Sequence, residues 1–239
     1  MAVVTAGEEE TKSKGRVLLT LAPTTAAAKL VGNEEAKLGD ERSLKGTIEP
    51  AAARTVVLQS ATDGENWTDA GEEVTTPADG KIDLPVPTET AEEKSWRVRV
   101  LADETHAETF TMGAYLGVYD YKAAGKKYLA CVKELNDKND EYEKLPYDLG
   151  VLKGSAGRMT KRSSDQAACL RGYNDWPPSV ADLVETIAAN NDVDADVWNR
   201  MSKAATLEEY DDISYEFTAD GSSPTQVRAK LGLPKRPTT

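Results

Sequence analysis

The chain has 239 residues, with 29 Lys and Arg against 41 Asp and Glu, one His and two Cys. A net charge of −12 and a pI near 4.7 leave no dense cationic face for phosphates, which argues against nucleic acid as a partner. No apolar run approaches the ~20 residues of a membrane span, and one His excludes a multi-His metal site.

At ~100–150 residues per domain the length fits two domains. Met1 to Lys14 reads as a disordered acidic tail without the apolar core of a signal peptide. Residues 15–112 carry 10 basic and 18 acidic side chains, whereas 113–239 carry 17 and 20. This step in charge coincides with a change in hydrophobic period and sets the expected domain boundary between 112 and 122.

In the first half the period is two. Trp96, Val98 and Val100 share one side of a strand while Arg97 and Arg99 take the other, as on an antiparallel sheet with one wet face. Strands are expected at 16–22, 28–31, 43–48, 54–61, 66–75, 81–86 and 95–102, with 106–112 completing the sheet. Asp63-Gly64, Asp79-Gly80 and the Pro85/Pro87 pair supply turns between them. Short strands at this spacing predict a β-sandwich over 15–112, with Trp67 and Trp96 in its core.

Gly46-Thr47-Ile48-Glu49-Pro50-Ala51-Ala52-Ala53-Arg54-Thr55-Val56-Val57-Leu58-Gln59 resembles the second and third strands of bacterial Ig-like modules common in actinobacterial exported proteins. Asp63-Gly64 before Trp67, the stretch from Thr75 to Gly80, and Trp96-Arg97-Val98 extend the likeness. The resemblance implies an Ig-like or fibronectin-III-like fold. It fixes no function, because such modules serve as spacers, adhesive domains and substrate-binding accessories.

Gly113, Tyr115, Gly117, Tyr119 and Tyr121 read as a connector over 113–121. Beyond it the period becomes about 3.6. A helix over 122–145 carries Tyr128, Cys131, Val132, Leu135 and Tyr142, and Pro146 stops it. The next follows Leu149, Leu152, Ala156, Met159, Ser163, Gln166, Leu170 and Tyr173, a seam spaced by threes and fours with polar residues in its middle. A third begins after Trp176-Pro177-Pro178-Ser179, with Ser179 as its cap and Val180, Leu183, Val184, Ile187, Val197, Trp198 and Met201 on its apolar side. Asn190-Asn191 is a candidate break in it. A fourth spans 207–217, and a short one from Ser223/Pro224 to Leu231 ends at Gly232. Short loops between such helices predict an antiparallel bundle over 122–234, with a tail at 235–239 and with Trp176 and Trp198 in the core. Asp175-Trp176-Pro177, together with Val227-Arg228-Ala229-Lys230-Leu231-Gly232-Leu233-Pro234, resembles helical domains of actinobacterial exported proteins and lipoproteins. That resemblance implies no catalytic residues.

Cys131 and Cys169 lie equally far from residue 150, so a hairpin turning there brings them level and predicts a disulfide. An even cysteine count in facing positions favours an oxidising compartment. No nucleophile elbow, P-loop, C-x-x-C or H-E-x-x-H occurs. His106 reads as a surface residue. Asp192, Asp194 and Asp196 resemble the opening of a calcium loop, but Val197 replaces its Gly and Lys203 its closing Glu; Asp137, Asn139 and Glu141 fail in the same way at Tyr142. No spacing marks a glycosidase carboxylate pair.

Lys153, Arg158, Lys161, Arg162 and Arg171 form a basic cluster that can be a solvated face or a dock for an anionic wall polymer. The expected function is a monomeric, non-enzymatic, exported cell-surface protein without cofactor or metal. It would bind a macromolecular partner, a cell-wall polymer or a protein, at a shallow surface. Tyr115, Tyr119, Tyr121, Arg158, Lys161 and Arg162 are the candidate contact residues. Two alternatives stay open: a phage or virion structural protein, and an enzyme with an unfamiliar carboxylate site in a deep pocket.

Overall fold

A computed structural model describes residues 21–218 and 221–235. The N-terminal part is β-sheet and the C-terminal part is helical. Three strands, β1 (Thr25–Leu30), β3 (Ser43–Glu49) and β7 (Lys81–Pro85), form one antiparallel sheet in the order β1-β3-β7. Its partner runs in the order β2 (Glu35–Lys37), β10 (Ala114–Tyr119), β8 (Glu92–Val100), β4 (Thr55–Ala61), β5 (Thr68–Asp69). The short strands β6 (Val74–Thr75) and β9 (Thr109–Phe110) pair with β4 and β8. β2 and β10 pair in parallel, and an isolated parallel bridge joins Ala22 to His106.

Alternation decides which side each strand buries. Leu44 and Ile48 of β3 and Ile82 and Leu84 of β7 meet Val56, Leu58, Trp96, Val98 and Val100 of the larger sheet in one core. On the outer face the Arg97 guanidinium stacks 4.3 Å from the rings of both Trp67 and Phe110. Trp67 therefore covers the outside of β8 and is only half-buried, whereas Trp96 is in the core as its phase predicted. Arg54, 2% exposed, donates to Thr24 Oγ1 (3.1 Å) and the Leu101 carbonyl (2.7 Å) and pairs with Asp103 at 2.9 Å.

Several expected strands change. The one at 16–22 falls largely on residues 16–20, which lie outside the described residues, as does the tail at 1–14. The 66–75 stretch splits into β5 and β6 around Gly71, and β9 replaces 106–112. The expected connector is strand β10, hydrogen-bonded to β8 and β2, so the sheet runs to Tyr119 and a single residue, Asp120, separates it from the first helix. Gly117 has a steric reason: a Cβ there would stand 2.7 Å from the Tyr119 ring.

Five helices follow: α1 (Tyr121–Tyr142), α2 (Leu149–Arg171), α3 (Pro178–Met201), α4 (Leu207–Ser214) and α5 (Ser222–Lys230). Asp120, Asp148 and Thr206 cap α1, α2 and α4 by accepting the amides of Ala123, Val151 and Glu209. Pro178 opens α3 at the position where its missing N–H costs nothing, so Ser179 is not the cap but the second helical residue, its amide and hydroxyl directed to Glu35. Asn190-Asn191 does not break α3, which is continuous to Met201.

Cys131 and Cys169 are bridged, with Cα atoms 5.5 Å apart. They belong to a first apolar cluster around Tyr128, Leu170, Val184 and Val227. A second cluster gathers Leu135, Leu152, Met159, Trp198, Met201 and Tyr210. Trp198 is buried between the Tyr142 edge and Phe217. Trp176 is half-buried against the first cluster, its Nε1 donating to the Leu170 carbonyl at 3.0 Å. Among the described residues no helix is long and apolar enough to cross a membrane.

Candidate functional site

Along α3, Val180, Val184, Ile187, Asn191, Asp194, Trp198 and Met201 repeat at fours and threes, a seam directed into the helical half. The sequence breaks this seam with Asn191 and Asp194, and it breaks the α2 seam with Ser163 and Gln166. The two polar pairs lie between the two apolar clusters and line one half-open cavity of about 1030 Å³. α1 contributes Tyr128, Val132, Leu135, Asn136 and Asn139 to its wall, and α5 contributes Thr225 and Arg228.

The floor of this cavity breaks a general rule of protein interiors. Ser163, Gln166 and Asn191 are 1%, 8% and 7% exposed. Ser163 Oγ, Gln166 Oε1 and Asn191 Nδ2 are enclosed without a hydrogen-bond partner among the described residues. Each such group loses its water without compensation, at about 1–3 kcal/mol. Asp194 beside them accepts from the Thr218 amide and hydroxyl, both at 3.1 Å. Burial nonetheless pushes its carboxyl above the usual range, against the opposing effect of the Thr218 bonds. At one end of the cavity the Arg228 guanidinium stands 6.0 Å from the Tyr128 ring.

The candidate residues from the sequence fall elsewhere. Tyr119 is buried and donates to Glu93 at 2.6 Å. Tyr115 is 41% exposed on the neighbouring part of β10. Tyr121 joins the two halves: it donates to Glu35 on β2, and the same carboxylate accepts from the Ser179 amide (2.9 Å) and hydroxyl (2.6 Å) at the start of α3. The Lys37 ammonium sits 4.9 Å over the Tyr121 ring. Burial raises the Glu35 pKa, but the bonds from Ser179 and Tyr121 outweigh it and hold the carboxyl below its ordinary value.

The basic cluster is compensated. Lys161 pairs with Asp165, Arg162 with Glu134, and Arg171 with both Glu185 and Asp192, while Lys153 donates to the Ala204 carbonyl at 2.6 Å. Arg158 lines a separate, smaller recess with Met159 and Tyr142. His106 is held by Asp103 and Thr105. Among the described residues no three His, Cys, Asp or Glu side chains converge as metal ligands would.

The chain matches no protein-family model and no curated protein. The candidate site therefore stands on its own geometry: carboxamides, hydroxyls and the Asp194 carboxyl among apolar walls, with the Arg228 cation beside Tyr128.

Proposed function

We propose that this chain is an exported, non-enzymatic binding protein of a bacterial cell surface, of the actinobacterial kind its two resemblances suggest. In this reading the sheet half is an Ig-like sandwich serving as a spacer. The helical half is an antiparallel bundle, stapled by the Cys131–Cys169 bridge, that holds the partner in the cavity floored by Ser163, Gln166 and Asn191. The disulfide supports an oxidising compartment. The observation supporting the binding reading is the half-open cavity of about 1030 Å³, which puts Ser163, Gln166, Asn191 and Asp194 among apolar walls, the mix of apolar surface and a few polar groups that ligand sites use. Asp194, already accepting two hydrogen bonds from Thr218, suits a fixed polar contact better than a proton shuttle.

Co-sedimentation with the envelope fraction of the chain's own source organism tests this reading. Thr225 is exposed on the rim of the cavity, so Thr225→Trp obstructs it without touching the floor. The wild-type chain and Tyr115→Ser are expected to sediment, and Thr225→Trp to stay in the supernatant with unchanged helicity. Equal retention of Thr225→Trp would contradict the site. Two thiol tags on unreduced protein from its natural source would contradict export.

A further inference from the structure

The charges of the cavity lining are unevenly placed. Its cations, Arg228 and Lys235, belong to the end near the first apolar cluster. Arg228 stands over Tyr128, and Lys235 follows Leu233, which packs against Gly125 early in α1. Asp194 lies toward the other end, one turn of α3 before Trp198 of the second cluster. Its two hydrogen bonds, from the Thr218 amide and hydroxyl, both fall on Oδ1. Among the described residues no donor reaches Oδ2, and no Lys or Arg nitrogen comes within 4.0 Å of the carboxyl. Burial raises this carboxyl and is offset only by two neutral donors, not by a cation. Asp140 of the same lining already has a partner, and Glu143 is exposed at the rim.

Enclosed, unpartnered atoms share the level of Asp194. Leu170 of α2 packs in the first cluster with Ile187 of α3, and Met159 packs in the second with Trp198. As α2 descends from 170 to 159, α3 climbs from 187 to 198 beside it. Ser163 therefore comes level with Asp194, and Gln166 with Asn191. Ser163 Oγ and Gln166 Oε1 are buried acceptors without a donor among the described residues. Asn191, whose Nδ2 is equally unpartnered, offers its oxygen instead after a half-turn of the carboxamide. The result is a carboxylate oxygen with neutral oxygens around it and no cation supplied by the described residues.

We infer that this end of the cavity takes a primary ammonium on an unbranched aliphatic stem, as on a lysine-type side chain of the partner, with Asp194 as counter-ion and Ser163 and Gln166 as further acceptors. This rests on the binding reading above and names the ligand chemistry of the same site. An ammonium carries three donors and no acceptor, which is what a set of three oxygens requires. Val132, Leu135 and Ile187 supply aliphatic wall for the methylenes of the stem. A guanidinium fits less well, because its planar fork favours both oxygens of a carboxylate and Asp194 Oδ1 is already held by Thr218. A carboxylate or phosphate would meet Asp194 as a like charge.

The test titrates the full chain, labelled with nitrogen-15, and follows the side-chain amide signals of Gln166 and Asn191. The probes are Nα-acetyl-lysine-N-methylamide, its Nε-acetyl and Nε-trimethyl derivatives, and alanine-N-methylamide, whose ammonium sits on the main chain. The first is expected to shift both signals at millimolar concentration. Nε-acetylation removes the charge, and Nε-trimethylation keeps it but removes every N–H. Each should weaken binding by about tenfold, the loss of one charge-assisted hydrogen bond. Asp194→Asn keeps an acceptor for Thr218 and should lose a similar factor; Ser163→Ala, the milder change, should lose about threefold with unaltered helicity. Undiminished binding of either derivative, or by Asp194→Asn, would overturn the inference. Tighter binding of alanine-N-methylamide would overturn the stem. The first probe should also release the wild-type chain from the envelope fraction. Sedimentation that Thr225→Trp abolishes, without any shift by the lysine probe, would overturn the ammonium and leave the binding reading standing. A lysine shift that Asp194→Asn abolishes, without sedimentation, would support the ammonium site and contradict the envelope partner.

Discussion

The two halves place buried polarity differently: in the sheet half it belongs to ion-paired arginines beside an unbroken core, in the helical half to neutral side chains that interrupt the core. In the sheet half, Arg54 is enclosed but its guanidinium reaches Thr24, Leu101 and Asp103, and Thr111 Oγ1 accepts the Val98 amide at 2.9 Å. The Nε atoms of Arg42 and Arg54 make no hydrogen bond, but both belong to cations paired with a carboxylate, Asp40 and Asp103, and the apolar core around them is continuous. In the helical half the polar seam positions divide the core into two clusters and leave Ser163, Gln166 and Asn191 with unpartnered atoms. Satisfied polarity serves the fold. Unsatisfied polarity at the base of a cavity weakens the fold and prepares a surface for something else.

That contrast can be broken experimentally. The largest effect belongs to the staple. Replacing Cys131 and Cys169 by Ala opens a loop whose ends are 38 residues apart, which should cost the helical half about 4 kcal/mol in the chain-entropy account. Urea unfolding read by helicity should move while the β signal from the sheet half stays in place; equal loss from both halves would show that they are not separable units. Next is Arg54→Met, which strands the Leu101 carbonyl and the Asp103 carboxylate and should cost about 3 kcal/mol. Here the sheet transition should fall and the helical one should not, and calorimetry checks it.

The smallest effect is at the contact between halves. Glu35 is held below its ordinary pKa of 4.5 by Ser179 and Tyr121 against the effect of burial. A depressed folded pKa stabilises above the unfolded value and loses that contribution as pH falls through the folded one. Coupling between the two transitions should therefore hold at pH 7 and fade below about pH 4.5. Glu35→Gln should remove this pH dependence, and a coupling that persists unchanged at pH 3 in the wild type would count against the role given to Glu35.

Much of the helical half was legible because its seams are local signals. The 3–4 spacing of α2 was visible from Leu149 to Tyr173, whereas the start of α3, read at Ser179, lies at Pro178, and the caps Asp148 and Thr206 were not read at all. Strand β10 was not legible. Gly113 and Gly117 imitate a linker, while the second in fact clears space for Tyr119, a reason that only the folded chain shows. Trp67 was misplaced because alternation does not say which face of an outer strand an aromatic ring will cover.

The site was half-legible. Ser163 and Gln166 stood out as polar residues within an apolar seam. Asn190-Asn191 was read as a break, although Ile187, Asn191, Asp194 and Trp198 continue the α3 seam without interruption. Turn-forming propensity hid a core position. That Tyr128 and Arg228 close the same cavity depends on how α1 and α5 approach, and sequence spacing carries no trace of it.

The central claim is that the helical half forgoes stability to keep a polar floor. Urea unfolding of Gln166→Leu with Asn191→Leu, followed by helicity, tests it most directly. Removing unpartnered buried polar atoms in favour of similar apolar volume is expected to raise the unfolding free energy by about 1–2 kcal/mol. A lower unfolding free energy would show that these side chains hold the bundle together, and would contradict the account.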